Sequence, residues 1–206
     1  MKQFDNLRSA KLSRETMETK VRVALNLDGE GLIKVQLGIP FLEHMLILMG
    51  YRAGLNLEIE ATGDLDVDDH HVTEDVAIVL GKTFLMALGK KMGIRRYGSV
   101  MMPMDEVLVA VAVDISGRSC FVSNYSPKRE SVGALSTEMI SHFFRTFSAE
   151  ARITLHMNFL NQGENEHHRV EALFKGVGQA LGQAIERVDG RSGVVPSTKG
   201  VLEGSG

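Results

Sequence analysis

The chain has a single cysteine and no tryptophan. One thiol, Cys120, excludes both an intrachain disulfide framework and a cysteine-built zinc ribbon. It gives no sign of an oxidising compartment, so the expected location is the cytoplasm. Aromatic residues make up 6% of the chain, too few for the stacking platforms that hold single-stranded nucleic acid. Positive charge is not in excess: 23 Lys and Arg stand against 26 Asp and Glu, a formal net charge of -3. A general attraction to nucleic acid or to anionic membranes therefore has no electrostatic basis. No apolar run reaches the roughly 18 residues of a membrane span. Met1 to Asn6 lack the apolar centre of a secretory signal. What remains is an ordinary soluble composition, 44% hydrophobic and 24% charged over 206 residues, enough for one large domain or two small ones.

Against that background the seven histidines stand out. The run from His70 to Gly81 can be laid on the run from His167 to Gly178 at a constant offset of 97 residues. His70 meets His167, His71 meets His168, Glu74 meets Glu171 and Gly81 meets Gly178; further on, Ala87 meets Ala184. A lone histidine in an apolar run precedes each pair, His44 by 26 residues and His142 by 25. Three unusual residues repeating in type and spacing indicate an internal duplication. The halves are expected at 1–92 and 93–206, joined near Met92 to Met104, and together form one functional unit.

Periodicity gives each half the same order. In the first, Val21 to Leu27, Leu32 to Leu37 and Leu55 to Ala61 read as strands. Phe41 to Met49 reads as a helix with Pro40 at its first position, and Asp69 to Leu88 as a long helix. In the second, Glu106 to Ile115, Cys120 to Asn124 and Arg152 to Leu160 read as strands, Thr137 to Phe147 and Glu166 to Val188 as helices. The fold class is α+β: duplicated β-β-α-β-α halves, each a small sheet with helices packed on one face. The tail from Ser192 to Gly206 is rich in Gly and Ser and is expected to be partly mobile.

Residues four apart share a helix face, while neighbours diverge by about 100°. His70 therefore points with Glu74, and His167 with Glu171, whereas His71 and His168 point elsewhere. Imidazole and carboxylate one turn apart are metal-ligand chemistry. Two diverging histidines suit two different ions. His44, His70, His71, Glu74, His142, His167, His168 and Glu171 supply eight candidate ligands, enough for two sites of four. Donors of nitrogen and oxygen without sulfur fit Mn, Fe, Co, Ni or Zn, with octahedral Mn or Fe preferred. His156 has no duplicate and reads as structural. Asp68 and Asp69 read as helix caps. Ser197, Thr198 and Lys199 before Gly200 offer a hydroxyl, backbone N–H groups and an ammonium to a phosphate, with Arg96 and Arg118 beside further glycines. These features alone leave open a metal-dependent hydrolase or a metal-holding assembly protein.

Several runs resemble the imidazoleglycerol-phosphate dehydratase family of histidine biosynthesis. They are Gly63-Asp64-Leu65, Asp69-His70-His71-Val72-Thr73-Glu74-Asp75, Arg96-Tyr97-Gly98-Ser99, Pro103-Met104-Asp105-Glu106, Asp114-Ile115-Ser116-Gly117-Arg118, Glu164 to Lys175 and Pro196-Ser197-Thr198-Lys199-Gly200. The resemblance runs from about Arg14 to Leu202 and keeps the order of the motifs.

It implies a hydro-lyase that converts imidazoleglycerol phosphate to imidazole-acetol phosphate through a metal-stabilised imidazolate. It also implies two Mn2+ per active site, held by the eight residues already selected. The assembly implied is a homo-oligomer of 24 subunits built from trimers, with active sites at subunit boundaries and no nucleic-acid or membrane partner. Phosphate contacts match Arg96, Arg118, Lys175, Ser197 and Lys199, with Thr198 between them. Glu18 matches a substrate-side carboxylate and is the expected proton-transfer group, which places it with His70, Glu74, His167 and Glu171 in the catalytic set. Four positions depart from the family pattern. Glu43 stands for Asp, Leu37 for Thr, Leu48 for a phosphate-binding Gln and Arg52 for His; Arg52 is expected to replace the lost phosphate contact.

Overall fold

The computed structural model describes residues 8–202; residues 203–206 of the expected mobile tail lie outside them. The first half contains β1 (Ser9–Glu15), β2 (Thr19–Asn26), β3 (Ile33–Gln36), α1 (Pro40–Arg52), β4 (Asn56–Gly63) and α2 (His70–Leu88). The second contains β5 (Tyr97–Met104), β6 (Val107–Asp114), β7 (Cys120–Ser123), a short hairpin of β8 (Ser131–Val132) and β9 (Leu135–Ser136), then α3 (Glu138–Glu150), β10 (Thr154–Asn161) and α4 (Glu166–Ile185). The four-stranded sheets have orders β1-β2-β4-β3 and β5-β6-β10-β7. In each, only the last pair is parallel.

The halves thus share one topology, and it has one more strand than the sequence pattern shows. The additional strands are β1 and β5, both at sheet edges. In β1 the inward residues are Ala10, Leu12 and Arg14, a weak apolar signal. In β5, Gly98 and Pro103 interrupt the pattern; an edge strand tolerates a proline because one side of its ladder is unpaired. Tyr97 to Met104 is therefore a strand paired with β6 along its whole length, not part of the join. The β8–β9 hairpin has no counterpart among the described residues of the first half.

Helices α1 and α2 lie on the first sheet, α3 and α4 on the second, and the two helical layers meet face to face. They meet crosswise: α1 packs against α4, and α2 against α3. Buried phenylalanines fill the junction, with Phe84 of α2 against Phe147 of α3 and Phe144 of α3 against Phe174 of α4. The duplicated glycines explain themselves here. A Cβ on Gly81 would lie 2.9 Å from the carbonyl oxygen of Phe147 in α3, and one on Gly178 would overlap the carbonyl oxygen of Met49 in α1. Only glycine lets the backbones approach that closely.

The tail is held more firmly than its composition suggests. The Gly93 N–H donates to the carbonyl of Val194 at 2.9 Å, an Arg96 guanidinium N–H donates to that of Pro196 at 3.0 Å, and Leu202 is buried. Helix α4 ends at Ile185 rather than Val188, because Arg187 leaves the helix to bridge Ile94.

Candidate active site

Each long helix starts with its first N–H bonded to a side chain just ahead of it, which helps to fix the histidines there. Asp68 accepts from the His70 N–H at 2.8 Å, and Asn165 accepts from the His167 N–H at 2.9 Å. Asp69, expected as a cap, turns instead to Ser136, accepting its N–H at 2.6 Å and its hydroxyl at 2.9 Å. It ties the β8–β9 hairpin to the start of α2.

The crossing of the helices builds two equivalent clusters. His70, Glu74 and His142 bring ligand atoms within 4.8 Å of one another, and so do His44, His167 and Glu171. His142 Nε2 lies 2.8 Å from Glu74 Oε1, and His167 Nε2 lies 3.0 Å from Glu171 Oε2. Each cluster draws two residues from one long helix and one from the short helix of the other half. That exchange is the structural reason why His44 and His142 recur at similar distances ahead of the pairs.

His71 and His168 enter neither cluster. His71 Nδ1 lies 3.0 Å from Asp64 and 3.9 Å from Glu18; His168 Nδ1 lies 2.9 Å from Glu106, with Asp105 3.6 Å from its Nε2. The Asp64 contact raises the His71 pKa, and the Glu106 contact raises that of His168. The same contact, helped by backbone N–H groups, draws Glu106 down to about 2. Glu18, inconspicuous in composition, is thereby placed beside a duplicated histidine. Asp64, Asp105 and Glu106 were not singled out by periodicity. Their only signal was membership of short motifs at the ends of β4 and β5.

The halves differ around Glu171. Lys175, one turn on, closes an ion pair with it and also approaches the Met104 sulfur at 3.7 Å. Burial pushes the Glu171 carboxyl up, but Lys175 and His167 outweigh it, and its pKa lies below the ordinary value. Lys175 thus sits beside a cluster, whereas the other phosphate candidates gather elsewhere. Arg96 is bidentate to Asp114 at 2.7 and 3.1 Å, and its grip on Pro196 brings Ser197, Thr198 and Lys199 alongside. Arg118 lies in the loop that follows Asp114, with its N–H donating to Ser116 Oγ at 3.2 Å. Arg96 holds φ at +74°, a strained conformation for a side-chain-bearing residue.

The departing positions have local roles. Glu43 accepts from the N–H groups of Leu37 and Gly38 at 2.6 and 2.9 Å, fixing the turn into α1. Leu37 is buried and Leu48 packs against the core. Arg52 is an exposed residue in the last turn of α1, where a cation favours the helix dipole. His156 stands in mid-β10 between Ala112 and Val122, in a cavity on the outer face of the second sheet and in none of the clusters.

A duplicated α+β scaffold carrying paired imidazole–carboxylate centres defines the class of molecule. The family model described as imidazoleglycerol-phosphate dehydratase matches residues 37–181. A Clostridium botulinum protein named imidazoleglycerol-phosphate dehydratase is 51% identical over 195 residues, 95% of this chain and 98% of its own length. A Methanopyrus kandleri protein of the same name is 49% identical over 203 residues, 97% of this chain and 98% of its own. The crystal structure of the Staphylococcus aureus imidazoleglycerol-phosphate dehydratase superposes with a TM-score of 0.78 at 38% identity, covering 87% of this chain and 99% of that one. The chain belongs to the imidazoleglycerol-phosphate dehydratase family, and it is a hydro-lyase.

Proposed function

We propose that this chain dehydrates imidazoleglycerol phosphate in histidine biosynthesis, and that it does so at two divalent metal centres. The observation that carries the metal reading is the pair of crossed clusters, each with two imidazoles and one carboxylate. Their donors fit a borderline transition metal, and three ligands per centre leave positions open for substrate nitrogen. Mn2+ suits nitrogen and oxygen donors with open octahedral positions. Bound ions would supply Lewis-acid stabilisation of the negative charge on the substrate's imidazole ring.

The chain's own residues do the rest. His44, His167 and Glu171 would hold one ion, and His70, His142 and Glu74 the other. Glu18, exposed at the β1–β2 turn, is the proposed carrier of the proton removed from carbon and delivered to the leaving hydroxyl. Arg96, Arg118, Ser197, Thr198 and Lys199 would bind the phosphate and fix the ring against the ions. Arg52 would add a cation where the family pattern has a histidine, and Lys175 would stand between the ligands and the substrate.

One chain does not bring these parts together. Arg96 lies at the start of β5, while Glu106 and His168 lie past its end. Eight residues of strand at about 3.3 Å each separate them by roughly 25 Å. That exceeds the length of a glycerol phosphate chain. His71 and His168 also point away from the clusters of their own chain. Both facts support active sites completed by neighbouring copies; that the copies form a particle of 24 subunits built from trimers is proposed from the family resemblance alone. No helix among the described residues is long and apolar enough to cross a membrane, in keeping with a proposed cytoplasmic enzyme.

The test is metal content of the purified protein beside turnover of imidazoleglycerol phosphate, with and without a chelator. Two ions per chain and activity lost with the metal are expected. Undiminished turnover after complete metal removal would overturn the metal reading.

A further inference from the structure

The clusters account for six of the eight duplicated ligand candidates and leave His71 and His168 to be explained. A neutral imidazole has one N–H and one lone pair, and the group that accepts the N–H decides which nitrogen can bind metal. In both residues the nearest carboxylate sits on Nδ1: Asp64 Oδ2 at 3.0 Å from His71, Glu106 Oε2 at 2.9 Å from His168; the exposed Asp105 stands farther off, 3.6 Å from His168 Nε2 and beyond hydrogen-bond distance.

The two carboxylates are not copies of one another. Asp64 follows β4, and the residue 97 positions on is Asn161, the last of β10. Glu106 lies in the β5–β6 turn, whose counterpart in the first half is the β1–β2 turn that carries Glu18. Unequal positions in the duplication reach the same nitrogen of equivalent histidines. The fold does not otherwise require this of Asp64. Its other oxygen is buried without a partner, and among the described residues His71 is the sole hydrogen-bond partner of its side chain. Glu106 is braced from behind, its Oε1 accepting from the N–H groups of Glu164 and Asn165 at 3.2 and 3.0 Å.

We infer that Asp64 and Glu106 are positioning residues that hold the N–H of His71 and His168 on Nδ1 and keep Nε2 free as the ligand nitrogen for a neighbouring copy's metal centre. The inference rests on the proposed metal sites. It extends them to two carboxylates that touch neither the clusters nor the substrate, and it assigns each a single task. Outer partners of this kind typically change metal affinity by 10- to 100-fold.

The experiment is a competition for Mn2+ between the assembled protein and a soluble chelator, with the ions per chain counted. Wild type is expected to hold two ions. Asp64→Ala should weaken retention by 10- to 100-fold, while Asp64→Asn, whose amide oxygen still accepts from Nδ1–H, should stay within about threefold of wild type. In a His71→Ala background, Asp64→Ala should add nothing. At a pH well above the raised His71 value, where the protonated pair no longer contributes stability, the unfolding midpoint of the metal-free Asp64→Ala protein should match that of the metal-free wild type. Glu106→Ala repeats the measurement at the second histidine, so failure of one variant to fold leaves the other decisive. Wild type without metal would bring down the underlying reading. Wild type with two ions and undiminished retention in both alanine variants would overturn this inference alone. A lowered midpoint of metal-free Asp64→Ala at that pH, or additive losses with His71→Ala, would reduce the carboxylate to a structural support and overturn it too.

Discussion

The two halves agree where chain meets chain and in their imidazole–carboxylate clusters, and they disagree in what stands behind those clusters. At the start of α2, Asp69 reaches out to Ser136 on the β8–β9 hairpin. Its counterpart 97 residues on is Glu166, fully buried with Arg169 at 2.7 Å and accepting from the Tyr125 hydroxyl at 2.6 Å. The position matching Arg169 is Val72, in the apolar core. Past the cluster carboxylate, Lys175 has Ile78 as its counterpart, so Glu74 has no lysine one turn on. Duplication preserved the imidazoles, the carboxylate and the glycine of the helix crossing. The supports were free to diverge, because each needs only to hold a helix start in place.

The largest expected break in that comparison is at Arg169. Its guanidinium is fully buried between Glu166, the Ser126 carbonyl and the rings of Tyr125 and Phe159. Arg169→Met would leave the Glu166 charge buried and unpaired, at a cost of about 3–5 kcal/mol. Replacing Val72 with Ala in the first half removes only methyl groups and should cost about 1–3 kcal/mol. Denaturant midpoints of the two variants check the order; equal losses would mean that the buried pair is no more than filler.

The helix crossings give the next effect. Gly178→Ala drives a methyl into a backbone carbonyl, whereas Gly81→Ala meets the Glu150 Cβ at 2.8 Å and the Phe147 carbonyl at 2.9 Å. Overpacking of this sort costs about 1–3 kcal/mol, against a gain of up to about 1 kcal/mol for alanine over glycine in a helix. Both substitutions should therefore destabilise, Gly178→Ala more than Gly81→Ala. Thermal midpoints in the same order support the packing argument, and the reverse order breaks it.

These differences also explain what could be read from sequence. The histidine pairs, their glutamates and the long helices were legible because helical period and identity repeat together at one offset. The exchange of short helices between halves was not, although the matched glycines recorded it; a glycine shows that something comes close without showing what. Strands β1 and β5 were missed because edge strands bury little and tolerate Gly98 and Pro103. The carboxylates on His71 and His168 were hidden for a different reason. Asp64 and Glu106 occupy unequal positions in the repeat and meet their histidines only in three dimensions.

Lys175 sharpens the comparison at the proposed metal centres. Its ammonium touches the carboxylate that would hold one ion and would repel that ion, while among the described residues Glu74 makes no ion pair with a lysine or arginine. Stepwise titration of metal-free protein with Mn2+ should show two affinities at least tenfold apart, about 1.4 kcal/mol. Lys175→Ile, the residue of the other half, should bring them within about threefold. A single affinity in wild type would show that the supports do not reach the ligands.

The smallest effect expected concerns pH, and it separates histidines by what they touch rather than by which half they occupy. His71 and His168 have raised pKa values because of Asp64 and Glu106. In the metal-free chain their paired, protonated form contributes stability that is fully present below the unfolded histidine value of about 6.5 and is lost as pH rises through the raised folded values. The Glu106 side runs the other way: its stabilisation is present above the ordinary carboxylate value of 4.5 and fades as pH falls toward about 2. Metal binding requires the neutral imidazole, so uptake at these two residues must expel a proton at pH values above 6.5 as well as below. Metal occupancy should begin to fall on acidification before pH 6.5 is reached, and excess Mn2+ should move the loss to lower pH by mass action. If Glu18 alone set the acid limit, turnover would fall while metal stayed bound. Metal content after rapid desalting at pH 5.5, beside the rate at the same pH, distinguishes the two. In Asp64→Asn, which removes the charge but keeps the acceptor, the onset of loss should shift toward lower pH; an unmoved onset would mean that the raised His71 value has no part in it.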